Sequence, residues 1–108
     1  MTDASNRPAW TFLANHGHVL ICIGRDPEAR LRDIAAAVGI TERAVFGIID
    51  DLEAAGIVVR SKVGRRNRYA VVRSAPLRHP LEAHHSVGDL LDLLATPPAE
   101  PVSPPRPR

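Results

Sequence analysis

The most informative part of the sequence is residues 34–48, which read IAAAVGITERAVFGI. Apolar residues recur at intervals of three or four on both sides of Gly39, as they do in helices that bury one face. Glycine readily takes the left-handed conformation that closes a helix, and the hydroxyl of Thr41 can cap the helix that follows. The segment therefore predicts two short helices separated by a tight turn, the first at about 31–38 and the second ending before Gly56.

The segments on either side predict a helix before this pair and a β-hairpin after it. Residues 11–25 have an apolar body and are followed by an Asp-Pro turn that ends the helix. Beyond the third helix, β-prone residues at 57–59 and 69–72 flank a polar segment that contains Gly64. The third helix itself is expected to bury Val45, Ile48, Ile49, Leu52 and Ala55.

A last helix is predicted near the C-terminus, at about 87–95. Ser86, with Asp89 three residues later, has the spacing of a capping box. The apolar stripe of this helix consists of Val87, Leu90, Leu91 and Leu94.

Both ends of the chain differ in composition from the part between them. Residues 1–9 are polar, and the proline-rich residues 96–108 cannot supply a packed core. We therefore expect a flexible arm at 1–9, one domain at 10–75, a C-terminal helical region for dimerisation at 76–95 and a disordered tail at 96–108.

The length and composition exclude large enzyme folds. A chain of 108 residues, 44% hydrophobic and 4% aromatic, can form one core built mainly from Ala, Val, Ile and Leu, whereas deep cofactor pockets usually need more chain. The sequence has neither a phosphate-cradling glycine loop nor a nucleophile with a neighbouring base. We therefore expect no enzymatic activity and no cofactor.

The single cysteine and the five histidines predict neither a disulfide nor a metal site. Cys22 has no second cysteine to pair with and lies in an apolar run, which indicates a buried thiol in a reducing compartment. His84 and His85 are adjacent, and His16 and His18 fall on different sides of a helix, so these are not the spacings of metal ligands. The sequence has no apolar run of membrane-spanning length and no signal-peptide order at residues 1–10, so we expect a cytoplasmic protein with no membrane partner.

Positive charge is concentrated in one part of the chain. The whole sequence has 14 basic and 12 acidic residues, a net charge of only +2. Between Glu53 and Glu82, however, there is no acidic residue. The basic residues of that interval are Arg60, Lys62, Arg65, Arg66, Arg68, Arg73 and Arg78. Most of them fall on the predicted hairpin, which therefore has a basic tip.

The order of helix, helix, turn, helix, basic hairpin and helix resembles a winged helix-turn-helix domain, a mainly α fold with a small β-hairpin (α+β). Within residues 34–48, Ala35 lies where the two helices press together, Gly39 lies at the turn, and the positions that lock the pair are occupied by Ile34, Val38, Ile40, Val45 and Ile48. The segments DLEAAGIV at 51–58 and GRRNRY at 64–69 look like the link and wing of small bacterial regulators of the MarR and ArsR kind. The resemblance covers roughly residues 16–73.

This resemblance implies a transcription regulator that binds double-stranded DNA and is associated with the nucleoid. Its third helix would read the major groove through Thr41, Glu42, Arg43, Phe46 and Gly47. Its wing would contact the phosphate backbone or the minor groove through Arg60, Lys62, Arg65, Arg66, Asn67 and Arg68. Arg30 and Arg32 are secondary candidates for phosphate contacts.

Two features of the third helix depart from the family's pattern. Phe46 and Gly47 stand where longer polar side chains are common, and neither can make a bidentate contact to a base. Asp50, Asp51 and Glu53 would repel phosphates if they faced DNA, so only the first turn and a half of the helix is expected to enter the groove. The alternative function is a protein-interaction module that docks a partner through Phe46. An RNA-binding role lacks the aromatic stacking surface that such modules use.

The apolar stripe of the last helix predicts a homodimer. A core of this size is already covered by three helices and the hairpin, so the leucines would form an exposed patch of the kind that marks an interface. The expected interface residues are Trp10, Phe12, Leu13, Val87, Leu90, Leu91 and Leu94. In the alternative, the last helix folds back onto its own domain. The sequence identifies no small-molecule effector.

Overall fold

The structure, a computed structural model, describes residues 8–95. Most of the predicted arm and the whole predicted tail lie outside these residues. The elements in chain order are α1 (Asn15–Arg25), α2 (Leu31–Val38), α3 (Glu42–Ala54), β1 (Val58–Val63), β2 (Arg66–Val71) and α4 (Val87–Leu94). The predicted fold class, helices with one small antiparallel hairpin, is confirmed.

The turn between α2 and α3 forms as the sequence predicts. Gly39 has a φ of 90°, in the left-handed region, and its N–H donates to the carbonyl of Ala35 at 2.7 Å. Thr41 then caps α3, because its Oγ1 accepts a hydrogen bond from the N–H of Ala44 at 3.0 Å. Gly39 therefore ends α2, and Thr41 caps the start of α3.

The core lies where α1, α2 and α3 converge and continues under the hairpin and α4. Its most completely buried side chains come from all these elements; they are Val19, Ile23, Ile34, Val45, Ile49, Val58 and Val87. Ala55, which was expected in this core, is exposed. It follows the last turn of α3 as the C-cap residue, so the helix no longer directs it inward.

The first helix is shorter than the periodicity predicted, beginning at Asn15 rather than at Thr11. The hydroxyl of Thr11 donates to the carbonyl of Leu13 at 2.6 Å, which stabilises a bend instead of a helical turn. Trp10 and Phe12 stack edge to face on each other, with ring centroids 5.2 Å apart. The aromatic segment therefore precedes α1 and is not part of its apolar face.

The hairpin forms the wing, and it is attached to the loop between α1 and α2. Its strands pair from Val58 opposite Val71 to Val63 opposite Arg66, and Gly64 in the turn has a φ of 66°. Tyr69 is buried, and its N–H donates to the carbonyl of Pro27 at 2.9 Å. The wing is thus held by a backbone hydrogen bond as well as by packing.

The C-terminal helix α4 folds back onto its own domain, which corrects the expectation of an uncovered leucine stripe. Val87 and Leu91 are buried in the core of the same chain, whereas Leu90 and Leu94 are half-buried. A Cβ on Gly24 would lie only 3.1 Å from Leu91, so the lack of a side chain there lets α4 approach α1 closely. The capping box at its start is present, since Ser86 Oγ accepts from the N–H of Asp89 and the Asp89 carboxylate accepts from the N–H of Ser86.

Candidate nucleic-acid interface

The first turn of α3 presents exposed polar groups. Thr41, Glu42 and Arg43 are all exposed, and the first amides of a helix carry the positive end of its dipole. Within residues 8–95, Arg43 forms no hydrogen bond or ion pair, so its guanidinium is available to an external acceptor. The hydroxyl of Thr41 is already engaged in capping.

The basic residues of the wing fall into two groups. Lys62 on β1 and Arg65 in the turn are exposed and have no partner in the described part of the chain. Arg66 donates to the carbonyl of Glu28 at 2.9 Å, and Nη1 of Arg68 lies 3.7 Å from the carboxylate of the same residue. The wing therefore keeps two cations free at its tip and uses two others to contact the loop before α2.

A cleft of about 440 Å³ joins the wing to the starts of α2 and α3. Arg65, Arg66 and Asn67 line it from the wing, and Glu42 lines it from α3. Arg30 and Arg32 line it from the N-terminus of α2. The structure thus brings six of the predicted contact residues to one cleft, and the wing arginines lie on the same side of the molecule as the leading end of α3.

Arg60 forms contacts within the chain that the sequence did not predict. Its Nη2 lies 2.7 Å from Glu53 and 3.1 Å from Asp50, and its guanidinium carbon lies 5.7 Å from the centroid of the Phe46 ring. The hydrogen bond with Glu53 is the main reason that the pKa of Arg60 is raised above its usual value. Because β1 passes beside α3, the charge of Arg60 is offset by carboxylates of the same chain.

The same ion pairs alter the expected repulsion by the acidic residues of α3. Asp50 and Glu53 are paired with Arg60. Asp51 accepts a hydrogen bond from His16 on α1 at 2.8 Å. Arg60 therefore offsets part of the negative charge of Asp50 and Glu53, and Asp51 has a hydrogen-bond partner in His16.

Two sets of contacts at this site could not be predicted from the sequence. Glu28, which joins two wing arginines, lies in a loop with no motif of its own. The pairing of Arg60 with the acidic residues of α3 depends on how a strand passes a helix. Neither arrangement leaves a spacing signal in the sequence.

Four of the seven predicted interface residues line a second, apolar groove. It has a volume of about 540 Å³ and is lined by Phe12 and Leu13 from the aromatic segment and by Leu90 from α4, among others. Trp10 and Phe12 are 70% and 93% exposed, and Leu93, which is not among the predicted interface residues, is 77% exposed. Val87 and Leu91 are not available to a partner, since they belong to the core of their own chain.

The remaining candidate groups form smaller contacts. His85 lies 3.1 Å from Asp89, and burial raises the pKa of the Cys22 thiol. In the part of the chain that the structure describes, no three His, Cys, Asp or Glu side chains come together as a metal ion would require. Over the same residues, the helices are too short or too polar to cross a bilayer.

Comparison with known proteins supports the winged-helix interpretation. The model of the MarR family matches residues 14–63, from the start of α1 to the end of β1. No curated protein matches the chain. MarR-family proteins are DNA-binding transcription regulators rather than enzymes. The helices, the glycine turn and the basic wing are therefore consistent with a MarR-type winged-helix protein, in agreement with the family match over residues 14–63.

Proposed function

We propose that this chain is a homodimeric transcription regulator whose α3 enters the major groove of DNA while the wing contacts the phosphate backbone or the minor groove. The observation that carries the proposal is the cleft in which wing arginines, the arginines that start α2 and the first residue of α3 come together. A surface of this kind can straddle a strand of phosphates. Such a regulator acts on the chromosome, in the cytoplasm at the nucleoid.

The charge balance at the cleft favours a polyanion as the ligand. Four arginines line it, namely Arg30, Arg32, Arg65 and Arg66, against the two carboxylates of Glu28 and Glu42. Lys62 and Arg43 add two exposed cations near the same surface elements. Guanidinium groups bind phosphate oxygens through paired hydrogen bonds. The free amides at the start of α3 offer further donors to a phosphate.

An exposed apolar surface supports the proposal of a homodimer. Trp10, Phe12 and Leu93 are exposed, and Phe12 also lines a groove together with Leu13 and Leu90. A second copy of the chain can cover the same groups under two-fold symmetry. Two winged helices related in this way would read two half-sites about one helical turn of DNA apart.

The test measures the affinity for fluorescently labelled random duplexes at several salt concentrations. If each protomer neutralises about 3 to 4 phosphates, the dimer should show a log-log salt slope of about −5 to −7. Arg65→Ala combined with Arg66→Ala should lower the affinity for all sequences alike and flatten that slope. The charge-matched comparison is between the single variants Arg65→Ala and Arg73→Ala, because Arg73 lines neither the cleft nor the apolar groove. Equal binding and equal slopes for these two single variants would refute the proposed interface.

A further inference from the structure

Gly47, in the middle of α3, has no explanation within the chain. A glycine inside a helix lowers helix stability relative to alanine. A Cβ placed at Gly47 meets nothing within 4 Å, so alanine would fit without any rearrangement. The residue therefore weakens α3 without serving its packing.

The other six of the seven glycines all have an intramolecular explanation. Three have a positive φ, at Gly39, Gly56 and Gly64. At the remaining three a Cβ would lie 3.1 or 3.2 Å from a neighbouring atom; these are Gly17, Gly24 and Gly88. Gly47 is thus the one glycine among residues 8–95 that has neither a positive φ nor a neighbouring atom within 4 Å of a Cβ.

Beside that open space lies an aromatic ring whose position is restrained. Phe46 is 47% exposed, and the Arg60 guanidinium lies over its ring at 5.7 Å. Arg60 is held in turn by Asp50 and Glu53. An apolar ring held beside a position without a side chain forms a flat patch, and Arg60 offsets part of the negative charge of the two nearby carboxylates. This patch suits an apolar group that approaches α3 closely.

In the major groove of DNA, one base presents such a group. Thymine carries a methyl at C5, whereas the other three bases present only polar atoms and ring C–H groups. Resting on the DNA-binding function proposed above, we propose that Phe46 contacts a thymine methyl and that Gly47 lets the backbone of α3 approach the base edge. The patch then supplies sequence preference at positions where the helix lacks long polar side chains. A protein partner at the same patch is the competing outcome of the test.

The experiment removes the methyl from the DNA rather than the side chain from the protein. A preferred duplex is first selected from a random pool by the full-length wild-type chain. Each thymine is then replaced singly by uracil, which retains the base pair and loses only the methyl. Loss of one buried methyl should weaken binding about fourfold at one or two positions and leave the other positions unchanged.

Three variants assign this effect to the patch. Phe46→Ala should bind thymine and uracil duplexes equally, and Phe46→Leu should retain part of the discrimination because leucine is also apolar. Gly47→Ala should raise Tm by about 4–8 °C, because alanine favours the helix, yet bind the preferred duplex more weakly. A glycine without a contact would raise Tm and leave the affinity unchanged.

The outcomes separate this inference from the proposed function. If the wild-type chain binds no duplex, both fail. If it binds but uracil is tolerated at every position, only the thymine contact is overturned. The same conclusion holds if Phe46→Ala keeps both affinity and discrimination, which is the result expected if the patch docks another protein.

Discussion

At the scale of single residues, the exposed cations of this protein differ in what they are free to do. Arg43 is exposed and has no partner within residues 8–95, whereas Arg60 is held by two carboxylates. The two arginines are alike in charge, so their difference arises from their neighbours. A cation without internal partners can form new hydrogen bonds without first breaking old ones. Arg43 is therefore the better candidate for reading a base.

Replacing Arg43 by alanine should relax sequence preference at particular base pairs. An arginine that contacts a guanine edge contributes about 1–3 kcal/mol of discrimination. The measurement compares the preferred duplex with a set of single-base variants. Lys62→Ala is the control, since a phosphate contact should weaken binding to every sequence alike. A uniform loss of affinity in the Arg43 variant would contradict base reading.

Replacing Glu28 by glutamine should strengthen DNA binding with little change in stability. The pair between Glu28 and Arg68 spans 3.7 Å and is about half exposed, and such surface pairs are worth about 0–1 kcal/mol. Glutamine keeps the backbone carbonyl that accepts from Arg66 while it removes a negative charge from the cleft. Affinity by fluorescence anisotropy and Tm are both measured. A weaker affinity at unchanged Tm would show instead that the carboxylate positions the wing.

At the scale of elements, the start of α4 should depend on pH. Hydrogen bonds from the N–H of Ser86, and from His85, hold the pKa of Asp89 below its usual range. A carboxyl whose pKa is lowered on folding stabilises the protein above its unfolded pKa, and this stabilisation is lost as the pH falls through the lower folded pKa. Thermal unfolding measured from about pH 7 downward should therefore show a loss that begins below about pH 4.

Two variants separate the charge from the cap. Asp89→Asn keeps an oxygen that can accept from Ser86 and should reduce the loss of thermal stability below about pH 4. Ser86→Ala removes the hydroxyl that accepts from the N–H of Asp89 and should lower stability by about 0.5–2 kcal/mol. It keeps the carboxylate and its hydrogen bond from the backbone N–H of residue 86, so the pH dependence should remain. If Asp89→Asn loses stability below about pH 4 as the wild type does, the capping box is not the source of the pH dependence.

The packing of α4 against α1 should be visible in Leu91→Ala. Leu91 is 5% exposed, and truncation of a buried leucine typically lowers the free energy of unfolding by about 2–5 kcal/mol. Leu93→Ala on the same helix is the matched control, because Leu93 lies outside the core and should change monomer stability little. Urea titrations check both variants. Similar midpoints for the two would place Leu91 outside the core of its own chain.

At the scale of the whole molecule, the proposed dimer depends on groups that the monomer leaves exposed. Light scattering should give a mass of about twice 11.7 kDa, and Trp10→Ala with Phe12→Ala should shift it toward one chain without lowering the helix content. Leu81→Ala is the control, since Leu81 is also exposed but does not line the apolar groove. A wild-type mass of one chain at micromolar concentration would argue against the homodimer, although each winged helix would still present its cleft.

Much of the fold could be predicted from the sequence, because the interactions that define these elements are local. The left-handed Gly39, the cap from Thr41 to Ala44 and the capping box of Ser86 and Asp89 each join residues no more than four apart. Such contacts can be predicted directly from the order of residue types. The predicted start of α1 was wrong, because the hydroxyl of Thr11 donates to the carbonyl of Leu13 and this residue does not enter the helix. The periodicity of apolar residues does not reveal such a hydrogen bond.

The partners of individual side chains were decided by tertiary packing. Arg60 reaches Glu53 and Asp50 only because β1 passes beside α3, and Arg66 reaches Glu28 across 38 positions of chain. The direction in which α4 buries its leucines depended on the space beside Gly24. An apolar stripe shows that a helix must be covered, but not by what, since the covering surface is formed by elements distant in sequence.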